Sequence, residues 1–281
     1  MNDINNIKLN DGVVVPMLGY GTGTAVRLSG KEESIDFIKM AYSEAKLSHL
    51  DCAQRYFNEE SIAVAMRDLG IKRDDVFITT KTEDGETPLK SLKKSLMLEE
   101  IGLGKAWEMM EQLQRERKTR SIGVSNYRIA DLEETLKTAK ARRTDDSDTR
   151  FVVPSVNQIE VHPYVFEKAK PLIDYCHKKG IAIASYAALA SIVRHPGGPV
   201  DQVVKDIAKE LGMTEDQVLL KWAHQVTYGG IVITTSLKKE RLQGQVKAFS
   251  HMPDLSDAHV QAIIHAGKKL HYRRFAGHMD S

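Results

Sequence analysis

Asp51-Cys52-Ala53-Gln54-Arg55-Tyr56-Phe57-Asn58-Glu59-Glu60 is the stretch on which the reading of this chain turns. With His49-Leu50 before it, it ends a short apolar run on a carboxylate and places a tyrosine just ahead of a helical pattern. A second run, Val76-Phe77-Ile78-Thr79-Thr80-Lys81, ends a β-branched apolar segment on a lysine. Each residue alone has an ordinary reading, Asp51 as a surface ion pair and Tyr56 as packing. An acid, a tyrosine and a lysine at the tops of consecutive strands instead describe one site. Lys81, as an ammonium, favours the phenolate of Tyr56 and lowers its pKa from about 10. Asp51 pairs with Lys81 and holds it charged. The expected product is a phenol that donates a proton near neutral pH.

On both sides of this stretch, strand and helix patterns alternate. Ile7 and Leu9 alternate with polar residues, Asp11-Gly12 makes a turn and Val13–Val15 return, which is a hairpin. Strands are expected at Met17–Gly21, His49–Asp51, Val76–Thr80, Ser121–Val124, Ser155–Glu160, Ile181–Ser185 and Ile231–Thr234. Ser29-x-x-Glu32 opens a helix to Glu44, with Ile35, Ile38, Ala41 and Tyr42 on one face. Further helices are expected at Glu59–Asp68, stopped by Gly70, and at Pro88–Leu98, Ile129–Ala141, Glu167–His177, Val203–Leu211, Thr214–Val226 and Asp257–Leu270. Gly19, Gly21 and Gly23 fail the G-x-G-x-x-G spacing, since Thr24 stands where the third glycine belongs; they read as small residues at a pocket mouth. Arg142–Arg150 reads as a solvated loop and the tail His271–Ser281, without apolar periodicity, as mobile.

This alternation in one domain, residues 1–281, predicts a parallel sheet. The pattern breaks once: Glu99–Lys105, with Gly102 and Gly104, is all that separates one helix from the stripe beginning at Trp107. That is too short for two loops and a strand. The expected fold is a (β/α)8 TIM barrel with an N-terminal hairpin and without its fourth strand; an open doubly wound sheet is the alternative. Adjacent strands lie about 4.8 Å apart, so a lost strand leaves a slot of roughly twice that, closed by the wall or partly filled by Glu99–Lys105.

The bulk numbers set bounds. A formal charge of +2, from 40 basic and 38 acidic residues, argues against nucleic acid as the partner. No apolar run reaches the ~20 residues of a membrane span, and the polar start lacks a signal-peptide core. The 2 cysteines, far apart, fit a reduced cytoplasmic protein. Cys52 reads as a small strand side chain. His162 and His195 have no carboxylate or cysteine at ligand spacing, so no metal site is expected.

These residues resemble the aldo-keto reductase family over nearly the whole chain. Asp51-Cys-Ala-x-x-Tyr56-x-Asn58-Glu59 is similar to the signature around its catalytic tyrosine, and Lys81 to its lysine. The resemblance implies that Ser125 and Asn126, in Ser121-Ile-Gly-Val-Ser-Asn126, hold the nicotinamide carboxamide with Gln158, in Asn157-Gln-Ile-Glu-Val-His-Pro163. It implies that Tyr186 stacks on the nicotinamide and Leu189 completes the cofactor site. Thr235, Ser236 and Arg241 match the region that grips the 2′-phosphate of NADPH, and the Thr-Thr-Ser form resembles fungal keto-ester and keto-amide reductases. The implied activity is NADPH-dependent reduction of a small aldehyde or activated ketone.

Two departures stand out. Thr235 occupies a position commonly lysine in the family, which leaves Arg241 and the hydroxyls of Thr235 and Ser236, helped by Lys238 or Lys239, for the phosphate. The family's catalytic histidine closes the fourth strand, and here no histidine occurs between His49 and His162. A splice form, a deletion or a mistaken gene model would each produce this gap. His162 reads as structural and His195 as solvent-exposed. Impaired turnover is expected; the rival readings are a non-catalytic NADPH-binding partner and a Schiff-base aldolase built on Lys81.

Overall fold

The computed structural model describes residues 5–82, 97–141 and 153–280. Its first pair, β1 (Asn6–Lys8) and β2 (Val14–Pro16), is the expected antiparallel hairpin, with Ile7 opposite Val15 and Gly12 turning at φ 83°. Leu9 and Val15 pack on Ala184, Ile231 and Ile233, so the hairpin plugs the N-terminal end of the main sheet. Asp11 Oδ2 accepts from Ser155 Oγ at 2.8 Å and fastens the plug.

That sheet contains β3 (Leu18–Gly21), β4 (His49–Asp51), β5 (Phe77–Thr79), β6 (Val124–Ser125), β7 (Val156–Glu160), β8 (Ala182–Tyr186) and β9 (Ile231–Thr234). The order is β5-β4-β3-β9-β8-β7-β6, with every pair parallel. The first strand pairs with both the second and the last. A doubly wound sheet reverses its order once; here the order is cyclic, that of a barrel opened between β5 and β6.

Among the described residues no strand lies between those two edges. Glu99–Lys105 forms no strand: it lies in a helix, Met97–Arg115, broken at Gly102 with φ 73° and ψ 158°. β6 shrinks to Val124–Ser125 from the expected Ser121–Val124, because it pairs on one side only, with Asn157 and Gln158. The guanidinium of Arg120, just before β6, lies 5.1 Å from the ring centroid of Phe77 on β5 and joins the two edges at their lower ends.

Helices α1 (Ala25–Leu28), α2 (Lys31–Ser43), α3 (Glu59–Leu69), α4 (Met97–Arg115), α5 (Ile129–Ala141) and α6 (Phe166–Lys178) precede α7 (Ala190–Arg194), α8 (Asp201–Leu211), α9 (Glu215–Val226), α10 (Lys239–His251) and α11 (Asp257–Gly267). The Ser29 cap is displaced by one residue. Ser29 Oγ donates to Val26 O at 2.6 Å and closes α1, while Gly30 N donates to Glu33 Oε2 to open α2. Gly70, at φ 64°, ends α3 as expected, and the Gln217 side chain caps Thr214 N at 2.9 Å. Sheet residues Leu18, Leu50 and Val232 share one core with Ile38, Leu132 and Trp222 of the helices.

Two expectations need correction. Helix α10 falls where the periodicity showed none, since its buried stripe of Leu242, Gln245, Ala248 and Phe249 is interrupted by a polar residue. The C-terminal tail is anchored rather than loose: Arg274 N and Phe275 N donate to Glu160 Oε1 and Oε2 at 2.9 and 2.8 Å, and Arg273 pairs with Asp280. The helix expected to start at Pro88 and the loop Arg142–Arg150 lie outside the described residues, apart from Met97–Leu98 in α4. Among the described residues no helix is long and apolar enough to cross a membrane.

Candidate active site

Apart from Gln158, in the middle of β7, the anticipated residues lie at or beyond the C-terminal ends of their strands, so the barrel brings them to one mouth. Asp51 ends β4, and Lys81 follows β5. Lys81 Nζ donates to Asp51 Oδ1 at 2.7 Å and to Cys52 O at 2.9 Å. Tyr56 closes a 3₁₀ turn, Gln54–Tyr56, with Phe57 at φ 57° behind it. Gln54 N donates to Lys81 O at 3.0 Å, tying the tyrosine loop to the lysine. The ammonium then lies 5.2 Å from the Tyr56 ring centroid.

Two residues the motif reading left without a role hold this loop. Asn58 Nδ2 donates to Thr22 O at 3.0 Å, and Thr22 Oγ1 donates to Asn58 Oδ1 at 3.1 Å. Thr22 N in turn donates to Asp51 O. The Gly23 position abuts the tyrosine, where an added Cβ would lie 2.5 Å from Tyr56 Cζ. Gly23 therefore serves the site by being small, as the mouth-of-pocket reading anticipated, whereas Gly19 and Gly21 lie within β3 and make room for Ile233.

The electrostatics correct one expectation. Burial of the Tyr56 phenol raises its pKa, and the opposing pull of Lys81 does not overcome it. Tyr56 is thus a protonated phenol over the whole neutral range, not one acidified toward it. For Lys81, burial works against the ammonium, but Asp51 and Tyr56 together hold its pKa above the ordinary value. A lysine kept charged in this way is a poor amine nucleophile, which counts against a Schiff-base reading. Cys52 is pushed up to about 12 by burial, so it stays a thiol.

Across the mouth, Gln158 Nε2 donates to Asp51 Oδ2 at 2.7 Å. The Gln158 carbonyl accepts from Asn126 N at 2.9 Å and from Ser125 Oγ at 3.1 Å. Asn126, at φ 57°, turns its side chain to Ser125 Oγ through Nδ2 and accepts from the Tyr186 hydroxyl at 2.8 Å. This corner carries donors and acceptors side by side beside an aromatic ring, the chemistry a carboxamide on a flat heterocycle requires. A nicotinamide fits it.

Leu189 caps α7 and packs partly buried on the core. The phosphate region is less uniform. Thr235 Oγ1 is buried, and Ser236 Oγ accepts from Lys238 N at 3.1 Å, so both hydroxyls face the protein. Arg241, in the first turn of α10, is exposed, and Lys239 pairs with Glu44 at 3.0 Å. Lys238, just before that helix, is exposed as well.

His162 is fully buried and donates from Nε2 to Glu160 Oε1 at 3.0 Å, in keeping with a structural role. His195 is not solvent-exposed as expected. It is half-buried, with its ring 4.2 Å from that of Tyr272 and 5.8 Å from that of Tyr164, because the anchored tail covers it.

The comparison with known proteins agrees with this geometry. The aldo/keto reductase family model matches residues 17–103 and 98–267, two pieces that meet where the strand pattern breaks. The chain belongs to the aldo/keto reductase family. It is 34% identical to an NAD/NADP-dependent indole-3-acetaldehyde reductase of Schizosaccharomyces pombe, covering 96% of this chain and 98% of the relative. It is 30% identical to the aldehyde reductase YPR1 of Saccharomyces cerevisiae, over 89% of this chain and 88% of that protein. A crystal structure of an aldo/keto reductase from Brucella melitensis superposes with a TM-score of 0.73 at 28% identity, covering 94% of this chain and 99% of that one. The reading as a non-catalytic partner finds no support in relatives that carry reductase names.

Proposed function

We propose that this protein reduces the carbonyl of an aldehyde or activated ketone to an alcohol with NADPH. The observation that supports this most is the continuity of the site. Tyr56, Lys81 and Asp51 join Gln158, Ser125, Asn126 and Tyr186 through the 2.7 Å bond from Gln158 to Asp51. A proton donor and an amide-recognising corner thus share one network.

The side chains divide the task. Ser125, Asn126 and Gln158 would orient the carboxamide, Tyr186 would offer its ring face, and Leu189 would add an apolar contact. Arg241 and Lys238 favour a 2′-phosphate over a bare ribose hydroxyl, which is the ground for NADPH over NADH. When bound, the cofactor supplies a hydride to the carbonyl carbon. Tyr56 gives its hydroxyl proton to the carbonyl oxygen, and Lys81 stabilises the phenolate left behind. Asp51 keeps Lys81 charged and in place.

Turnover is expected to be slow. Without a histidine between His49 and His162, one polarising donor on the carbonyl oxygen is missing, and removal of one such donor costs on the order of 10²–10³ in rate. The test is NADPH oxidation by the purified chain with a reactive aldehyde and with a keto ester, beside Tyr56→Phe. Slow turnover that vanishes in the variant, with NADPH binding retained, is the expected result. Undiminished turnover in Tyr56→Phe would remove the tyrosine from the chemistry.

A further inference from the structure

We infer that Gln158 is a positioning residue of the proton-donating set: it holds Asp51 from the far side of the mouth and, through Asp51, sets Lys81 against Tyr56. The inference rests on the reductase reading above and deepens it, because it joins the cofactor-binding corner to the proton donor mechanically.

Asp51 is 3% exposed and Gln158 6% exposed. A carboxylate taken out of water needs donors on both oxygens. Oδ1 has Lys81 Nζ and Oδ2 has Gln158 Nε2, each at 2.7 Å. The Gln158 amide must turn its NH₂ toward Asp51, since its oxygen would face a negative charge. The two residues stand on β4 and β7, which are separated in the sheet by β3, β9 and β8. Their bond therefore crosses the mouth rather than running along a ladder.

The lever arm is rigid. The main chain of Gln158 is pinned by Asn126 N and Ser125 Oγ on its carbonyl and by the β7–β8 pairing opposite Ala184. At the other end, Lys81 is constrained by Cys52 O as well as by Asp51. A shift at Gln158 has to appear at Asp51. Without the amide, Oδ2 loses a donor that favours the ionised carboxylate. Asp51 is then held from one side only, and Lys81 loses the fixed partner that sets it over Tyr56.

A residue that only holds the cofactor predicts something different. Its removal would weaken NADPH binding and leave Asp51 undisturbed. Two measurements separate these cases, one of them without cofactor. The first is a double-mutant cycle of Gln158→Leu and Asp51→Asn, read as the unfolding equilibrium of the cofactor-free protein. Gln158→Leu should destabilise the wild-type background by about tenfold more than the Asp51→Asn background, the scale of a hydrogen bond to a charged group. The second is the split between kcat and the KM for NADPH. The leucine variant should lose about tenfold in kcat at saturating NADPH, because the fault lies in how Lys81 meets Tyr56, whereas a lost cofactor contact alone raises the KM for NADPH and leaves kcat unchanged.

An additive cycle with an unchanged kcat overturns the inference, whatever happens to NADPH affinity, and leaves Gln158 as a cofactor ligand only. If the wild-type chain reduces no carbonyl, the reductase reading fails while the cycle still decides the tie between Gln158 and Asp51. Should the leucine variant not fold, Gln158→Met, closer in shape, enters the same cycle with the same two outcomes.

Discussion

Tyr56 rests against Gly23, where even a methyl group would collide with the ring, and 5.2 Å from the Lys81 ammonium. Its acidity follows from that enclosure. Burial raises the phenol pKa and Lys81 lowers it, with burial the larger effect. The donor form is the protonated one, present below the raised pKa and lost as pH rises through it. Carbonyl reduction should therefore hold level through neutral pH and fall only above pH about 10, the ordinary tyrosine value. The check is kcat/KM for reduction against pH; an alkaline limb centred near neutrality would contradict the enclosure argument. Asp51 and Lys81 were legible as a pair because both end apolar runs. The direction of the Tyr56 shift was not, because desolvation depends on what surrounds the ring.

The ends of β7 and β8 and the C-terminal tail form the side of the mouth opposite Tyr56. Glu160, the last residue of β7, is fully buried and accepts from two tail amides and from His162. The tail then lays Phe275 edge-on to Tyr186, with ring centroids 5.9 Å apart, and His278 Nε2 donates to Asn126 O at 3.0 Å. Glu160→Ala would leave both amides and the imidazole without this acceptor, at about 1–3 kcal/mol for each buried group left unpaired. Arg274 and Phe275 amides should then exchange with deuterium faster than in the wild type, while β3 and β9 amides do not. Unchanged exchange at the tail would show that Glu160 is not its anchor. The tail looked mobile because it lacks apolar periodicity; the amides that Glu160 holds are main-chain groups, which carry no side-chain pattern. Helix α10 was hidden for a related reason: Gln245 sits in its buried stripe, bonded to Thr234 and Asp216.

Among the described residues the barrel is opened at one seam. β5 and β6 are its edges, and the mouth is tied across by Gln158 and Asp51 and at the base by Arg120 on Phe77. Seven strands and their helices still converge the site residues, since cyclic order alone sets which strand ends face one another. A designed insertion between β5 and α4, supplying a strand with a histidine at its C-terminal end, should pair with both edges. It should raise kcat by on the order of 10², the scale of one restored oxyanion donor. The same strand ending in glutamine should pair equally well and gain less; equal gains from both would assign the deficit to the open wall instead of the missing donor.

What the sequence determined alone is local or periodic: strand and helix alternation, the break at Glu99–Lys105, the helix stops, and a set of chemically matched residues at strand ends. These follow from side-chain pattern and backbone preference, which act over a few residues. Only the tertiary structure decided the cyclic strand order, the capture of the tail by Glu160, the burial that governs Tyr56, and the reach of Gln158 to Asp51. Each depends on groups far apart in the chain and on water being excluded between them, and neither is written in any single stretch.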